Sequence, residues 1–164
     1  MSQTDNALYF VPLGGSGEIG MNLNLYGYGP EEDRKWIILD CGVTFGDLTT
    51  PGVDIITPDP RFIAERKHQL LGIVLTHAHE DHMGAVAHLW RQLECPIYAT
   101  PFTAWLMRDR LAEHGLLDQV ALHEIDLHTR FELGPFDMQL VTLTHSIPEP
   151  NGVIIRTPVG TVLH

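Results

Sequence analysis

Five side chains of metal-ligand type, three histidines and two carboxylates, fall within six residues in His77-Ala78-His79-Glu80-Asp81-His82. Two histidines two positions apart at a strand end point the same way, because side chains alternate with a period of two, so His77 and His79 can share one ion. The chain then turns, which lets Asp81 and the adjacent His82 face a second ion beside the first. His145, closing a later apolar run, supplies a third ligand to the first ion. Nitrogen and oxygen donors without thiolate suit Zn²⁺ or Mn²⁺. Two such ions about 3.5–4 Å apart lower the pKa of a shared water toward ~7 and clamp the oxygens of a phosphoryl transfer, so hydrolysis needs no serine or cysteine nucleophile. Asp81 and His82 are thus candidates for catalysis as well as ligation. Glu80 is left without a place on either ion and is expected to hydrogen-bond a ligand from behind. A solvated loop beside a buried strand does not gather three histidines without cause, and a structural zinc site favours a closed set with cysteine, which the motif lacks. The other histidines, His68, His88, His114, His123, His128 and His164, have no comparable spacing and are expected in surface or capping roles.

The elements around the motif must aim these groups. Leu71-Gly72-Ile73-Val74-Leu75-Thr76 reads as a buried strand, and Met83, Val86, Ala87 and Trp90 follow at helical spacing, so the motif bridges a strand end and a helix start. Leu8-Tyr9-Phe10-Val11-Pro12-Leu13, Leu23-Asn24-Leu25-Tyr26 and Trp36-Ile37-Ile38-Leu39 read as strands of one sheet. Pro96-Ile97-Tyr98-Ala99 is a further strand. Thr100 then stands at an N-cap, Pro101 at the first helical position, and Phe102, Trp105 and Leu106 on one face of a helix ending near Gly115. Gln119-Val120-Ala121-Leu122-His123, a turn at Gly134-Pro135 and a run over 138–144 ending at His145 predict more strands. Val153-Ile154-Ile155-Arg156 turns through Pro158-Val159-Gly160 into Thr161-Val162-Leu163-His164. The pattern is α/β, and a strand reaching the last residue suggests a domain cut before completion.

The chain has 164 residues, 44% of them hydrophobic, enough for one domain or part of one. No stretch approaches the ~20 apolar residues of a membrane span, and Met1-Ser2-Gln3-Thr4-Asp5-Asn6 lacks the order of a signal peptide, which leaves the cytoplasm as the default compartment. Cys41 and Cys95 stand far apart, without the spacing of a disulfide framework or a zinc site. Acidic residues outnumber basic ones, 21 to 10, which runs against a simple nucleic-acid binder. Bound cations would cancel that charge only locally, because exposed charges are screened over about 8–10 Å.

The ordered set Gly14-Gly15-Ser16-Gly17-Glu18-Ile19-Gly20-Met21-Asn22, Asp40-Cys41-Gly42, Gly52-Val53-Asp54 with Pro58-Asp59, the segment 76–84, and Thr144-His145-Ser146-Ile147-Pro148 resembles the metallo-β-lactamase superfamily. More narrowly, it is similar to the ribonuclease J group of its β-CASP nuclease branch, along nearly the whole chain. The resemblance implies an αββα sandwich with two divalent metal ions at one edge, His77, His79 and His145 on one ion, Asp81 and His82 on the other. It further implies RNA cleavage from a 5′-monophosphate end, with endonuclease activity as well, in messenger RNA decay and ribosomal RNA maturation, by a homodimer or homotetramer. Members of the group continue past the position of His164 with a Thr-Gly-Asp whose aspartate bridges the metals, then with β-CASP and C-terminal domains. Residues 1–164 are therefore expected to be the N-terminal part of a metallo-β-lactamase domain, inactive on RNA alone.

Other readings stay open on the sequence. A thioesterase, lactonase or β-lactamase would use the same histidine motif, and a metal-binding module without turnover would keep the fold. A di-iron protein is disfavoured because His79 stands where that pattern has glutamate. The glycine-rich segment 14–22 serves either as a tight turn or as a border of the metal edge through Glu18 and Asn22. Asp40 either orients a ligand histidine or caps a strand, and Ser146 either contacts a substrate phosphate or shapes a turn.

Overall fold

In the computed structural model, which describes residues 7–164, the three early apolar runs are β1 (Leu8–Gly14), β2 (Leu23–Tyr28) and β3 (Lys35–Leu39). They pair in antiparallel order within one sheet. Residues 1–6, the stretch without signal-peptide order, lie outside the described residues. A short hairpin, β4 (Thr44–Phe45) and β5 (Ile55–Ile56), precedes the single helical turn α1 (Arg61–Ala64). Next come β6 (Leu70–Val74), α2 (Glu80–Met83), α3 (Val86–Leu93), β7 (Ile97–Ala99), α4 (Pro101–Glu113) and β8 (Leu122–Glu124). The first sheet runs β1-β2-β3-β6-β7-β8, with β3, β6, β7 and β8 parallel. β9 (Arg130–Leu133), β10 (Phe136–Thr142), β11 (Asn151–Thr157) and β12 (Gly160–Leu163) form a second, antiparallel sheet.

Alternation along β3 shows how the layers are made. Trp36 and Ile38 pack into a cluster shared with α1 to α4, whereas Ile37 and Leu39 pack into a second cluster with Phe136, Met138, Leu140, Val153 and Ile155 of the other sheet. A strand covered on both faces reads as a continuous apolar run, as this one does. Among the described residues the layers are helices, six-stranded sheet, four-stranded sheet; no helix lies on the outer face of the smaller sheet. That gives three of the four layers of the expected sandwich.

Two details differ from the sequence expectation. Trp105 is 57% exposed, and α4 buries Thr103, Ala104, Met107 and Leu111 instead, with Phe102 and Leu106 half-buried beside them. Thr100 occupies the N-cap position, but its hydroxyl turns to Thr103 Oγ1 (3.4 Å), and the Phe102 N–H is instead accepted by Glu149 Oε2 (2.9 Å). Gly115 closes the helix with φ +64°, as its position suggested.

Both cysteines are buried and unpaired. Burial, reinforced by Cys95 and Asp40, raises the Cys41 thiol far above its usual range, and burial pushes Cys95 up to about 12. Neither thiolate forms at neutral pH, so both are expected to resist an aromatic disulfide reagent in the folded protein and to titrate together on unfolding. Rapid reaction of either thiol under native conditions would contradict this packing.

Candidate metal centre

Parallel strands β3 and β6 end side by side, and the segments leaving their carboxyl ends carry Asp40 and 76–82, the usual place for a site in a parallel sheet. Asp40 is 1% exposed and sits at φ +62°, a left-handed conformation that Asp tolerates better than most residues. Its Oδ1 accepts the Thr76 N–H (2.8 Å), and its Oδ2 accepts the Thr76 hydroxyl (2.9 Å) and His82 Nδ1 (2.7 Å). The Thr76 hydroxyl in turn accepts from His77 Nδ1 (2.9 Å). This network assigns the tautomers: with Nδ1 donating in both rings, Nε2 of His77 and of His82 is the nitrogen left for an ion. Both expected roles of Asp40 therefore coexist, since it orients a histidine and ties off the strand end.

His77, His79 and His145 each offer a ligand atom, all within 4.8 Å of one another, with His77 Nε2 3.1 Å from His79 Nδ1. Two ring nitrogens that close suit a shared cation about 2.0–2.1 Å from each. Beside them the His77 and His82 rings are 4.0 Å apart between centroids, and His82 Nε2 lies 3.4 Å from Asp81 Oδ2. The nitrogen and carboxylate donors fit one or two divalent cations. Burial, with His82 next, holds the His77 imidazole down at about 4, so at neutral pH it is uncharged with a lone pair to give. Burial also pulls His82 down, but the hydrogen bond and charge of Asp40, with Asp81, more than offset it, and the net shift is upward.

The one-turn length of α2 follows from what surrounds it. The Asp81 carbonyl accepts both the backbone N–H (3.0 Å) and the side-chain amide (2.9 Å) of Asn22, the His82 carbonyl accepts Cys41 N–H (2.7 Å), and the Glu80 carbonyl accepts Val43 N–H (2.9 Å). These bonds come from outside the helix and fix the motif backbone against the segments 20–22 and 40–43. Gly42 is required there, because a Cβ would overlap the Asp81 carbonyl. Asn22 thus borders the metal edge, as one reading of the glycine-rich segment had it, while Glu18 accepts Gly15 N–H (3.1 Å) and shapes the exposed turn.

Several placements correct the sequence reading. The Glu80 carboxylate pairs with Arg110 of α4, not with a ligand histidine, because the N-terminus of α2 points it outward to a partner no local spacing could reveal. His145 lies three residues past the end of β10, on the exposed segment 143–149 that also carries Ser146. His164, expected at the surface, is half-buried: its Nδ1 meets the Tyr26 hydroxyl (3.1 Å), burial lowers its pKa, and it lines a cleft of about 320 Å³ with Asp40, His77, His82, His145 and Asn151. A histidine directly following a strand, as His77 nearly does, was the signal available for it. Asn151 was also missed. It holds the base of the His145 segment, donating from its amide to Glu149 O (2.7 Å) and from its backbone to Thr76 O (3.2 Å).

Residues 35–164 match the beta-lactamase superfamily domain. The chain belongs to the beta-lactamase superfamily. Among superfamily proteins, ribonuclease J of Sinorhizobium meliloti is 48% identical over 160 residues, covering 98% of this chain and 28% of that protein. Ribonuclease J of Thermus thermophilus is 38% identical over 161 residues, covering 94% of the chain and 27% of its own length. The chain therefore spans under a third of the length of these relatives, and the resemblance to ribonuclease J read from its motifs extends over nearly all of it. A Zn²⁺-bound PqqB from Methylobacterium extorquens superposes on 94% of the chain and 63% of its own with TM-score 0.66 at 15% identity, a likeness of fold. An N-acyl homoserine lactone hydrolase does so on 95% and 73%, with TM-score 0.54 at 20% identity.

Removing the groups that frame the superfamily motif should cost stability before any chemistry is considered. Gly42→Ala forces the 80–82 backbone outward at an expected cost of about 1–3 kcal/mol, and Asp40→Ala strips a buried pair and the Thr76 N–H of their acceptor at about 3–5 kcal/mol. Urea unfolding measures both. Variants within about 0.5 kcal/mol of the wild type would show that the network does not hold the motif.

Proposed function

We propose that residues 1–164 are the N-terminal part of the metallo-β-lactamase domain of a ribonuclease J, with β-CASP and C-terminal domains outside this chain. The enzyme hydrolyses RNA phosphodiesters in the cytoplasm, releasing nucleotides from a 5′-monophosphate end and cutting internally, in RNA decay and ribosomal RNA maturation. It works as a homodimer or homotetramer. The observation that carries this reading is the 48% identity to the Sinorhizobium meliloti ribonuclease J. That match leaves at most four residues of the chain aside, so the whole metal centre falls within it. No Lys or Arg lines the cleft beside His77 and His145, so at this centre a phosphate is met by metal charge instead of side-chain cations.

In the proposed site His77, His79 and His145 hold one divalent ion and Asp81 and His82 a second, with Zn²⁺ the first choice and Mn²⁺ the alternative. When bound, such ions supply a nucleophile at neutral pH and neutralise charge growing on the phosphate. Asp40 keeps His82 Nε2 turned toward the site and, through the Thr76 hydroxyl, does the same for His77 Nε2. Asn22 fixes the peptide that carries Asp81, and Asn151 and Glu149 fasten the strap that carries His145. Ser146, next to His145 and exposed, is free to approach a substrate phosphate.

Nucleotide release from 5′-monophosphorylated RNA in Zn²⁺ or Mn²⁺ tests the proposal on the full-length protein, with the 164-residue chain alongside. The full-length protein should release nucleotides, His77→Ala should reduce the rate at least 100-fold, roughly the loss of a metal-activated nucleophile, and the short chain should be inactive. No release from RNA by the full-length protein, together with turnover of thioesters or lactones, would replace the ribonuclease reading with that of another hydrolase of the fold.

A further inference from the structure

A second cavity of about 470 Å³, sharing no lining residue with the His164 cleft, opens onto His79, Glu80 and Asp81. The rest of its lining is largely apolar: Ile19 and Gly20 from the glycine-rich turn, Val43, and Phe45 of β4, with Thr44 between the last two. Ile19 is 94% exposed and Phe45 60% exposed, two large side chains left in water beside ligand residues. No Lys or Arg lines this cavity, while Glu80 and Asp81 do, and Asp47 follows Phe45 in the same hairpin. An RNA phosphate would need a cation that none of these lining side chains supplies. A nucleobase would not, because its faces are uncharged and stack on an aromatic ring.

We infer that Phe45, with Ile19 beside it, is the seat of a nucleobase of the RNA, the one whose backbone passes over the ligands His79 and Asp81. This inference rests on the ribonuclease reading and adds a substrate-binding residue to it. It also gives an acidic chain a means of holding RNA here that needs no cations. Stacking tolerates every base, since each has a π-face, so Phe45 supplies grip without sequence preference. Phe45 belongs to a two-residue strand and is exposed, so its replacement leaves the core untouched.

The test compares the full-length wild type with Phe45→Ala and Phe45→Trp on 5′-monophosphorylated oligoribonucleotides, intact or abasic at one position at a time near the cleaved bond. Phe45→Ala is expected to raise KM roughly 5- to 100-fold, the range for one lost base stack, with a smaller effect on kcat. Phe45→Trp should restore KM. The salt dependence should stay that of the wild type, since no phosphate contact is lost. An abasic substrate should erase the difference between wild type and Phe45→Ala at one position only. Wild-type protein active on RNA but with KM unchanged in Phe45→Ala, or a loss that Trp does not restore and that flattens the salt dependence, would overturn this inference alone. Wild-type protein inactive on every RNA would overturn the ribonuclease reading and this inference with it.

Discussion

The Asp40 carboxylate, almost wholly buried, accepts hydrogen bonds from the Thr76 amide, the Thr76 hydroxyl and the His82 ring, and most of the site depends on it. A carboxylate out of water is costly unless its lone pairs are met, and here three donors meet them. Those donors belong to the segment that carries four of the five proposed metal ligands. One group therefore joins the ends of the two central parallel strands, sets the ring orientation of His82 directly, and sets that of His77 through one hydroxyl. Its left-handed backbone turns the chain from β3 into the segment whose N–H groups meet the carbonyls of 80–82.

The rest of the architecture keeps those two strand ends fixed. β3 and β6 are buried on both faces, by helices on one side and by the second sheet on the other, so neither can shift without opening both clusters. The second sheet brings in the final histidine. β10 and β11 are joined by the segment 143–150, and its three anchors, Leu143 N–H to Pro150 O (2.9 Å), Asn151 to Glu149 and Thr76, and Glu149 to the start of α4, hold an otherwise exposed His145 near His77 and His79. The site is a seam between sheets, and its candidate ligands come from segments that follow strands of both.

What the sequence made legible follows from the range of the interaction concerned. His77 and His79 were readable because they stand two residues apart in one short segment, although that segment lies past the end of β6 at Val74 and not on the strand. The strands were readable because β3 and β6 are continuous apolar runs. Gly115 was readable because the end of a helix demands a positive φ. Glu80 was misread because its partner Arg110 lies thirty residues on in another helix. His164 was misread because its burial depends on Tyr26 of the other sheet. Trp105 was assigned to the packed face with Phe102 and Leu106 from their spacing, whereas α4 buries Thr103, Ala104, Met107 and Leu111. The two roles weighed for Asp40 did not compete, because a carboxylate has enough acceptor capacity for both.

We propose that this framework aims five side chains at two divalent ions. Anomalous diffraction at the zinc edge, from crystals of the full-length protein grown with Zn²⁺, measures it directly. Two peaks about 3.5–4 Å apart are expected, one bonded to His77, His79 and His145 and the other to Asp81 and His82 at about 2.0–2.2 Å. Peaks bonded to other side chains, or no peak within bonding distance of His77 Nε2 and His82 Nε2, would contradict it.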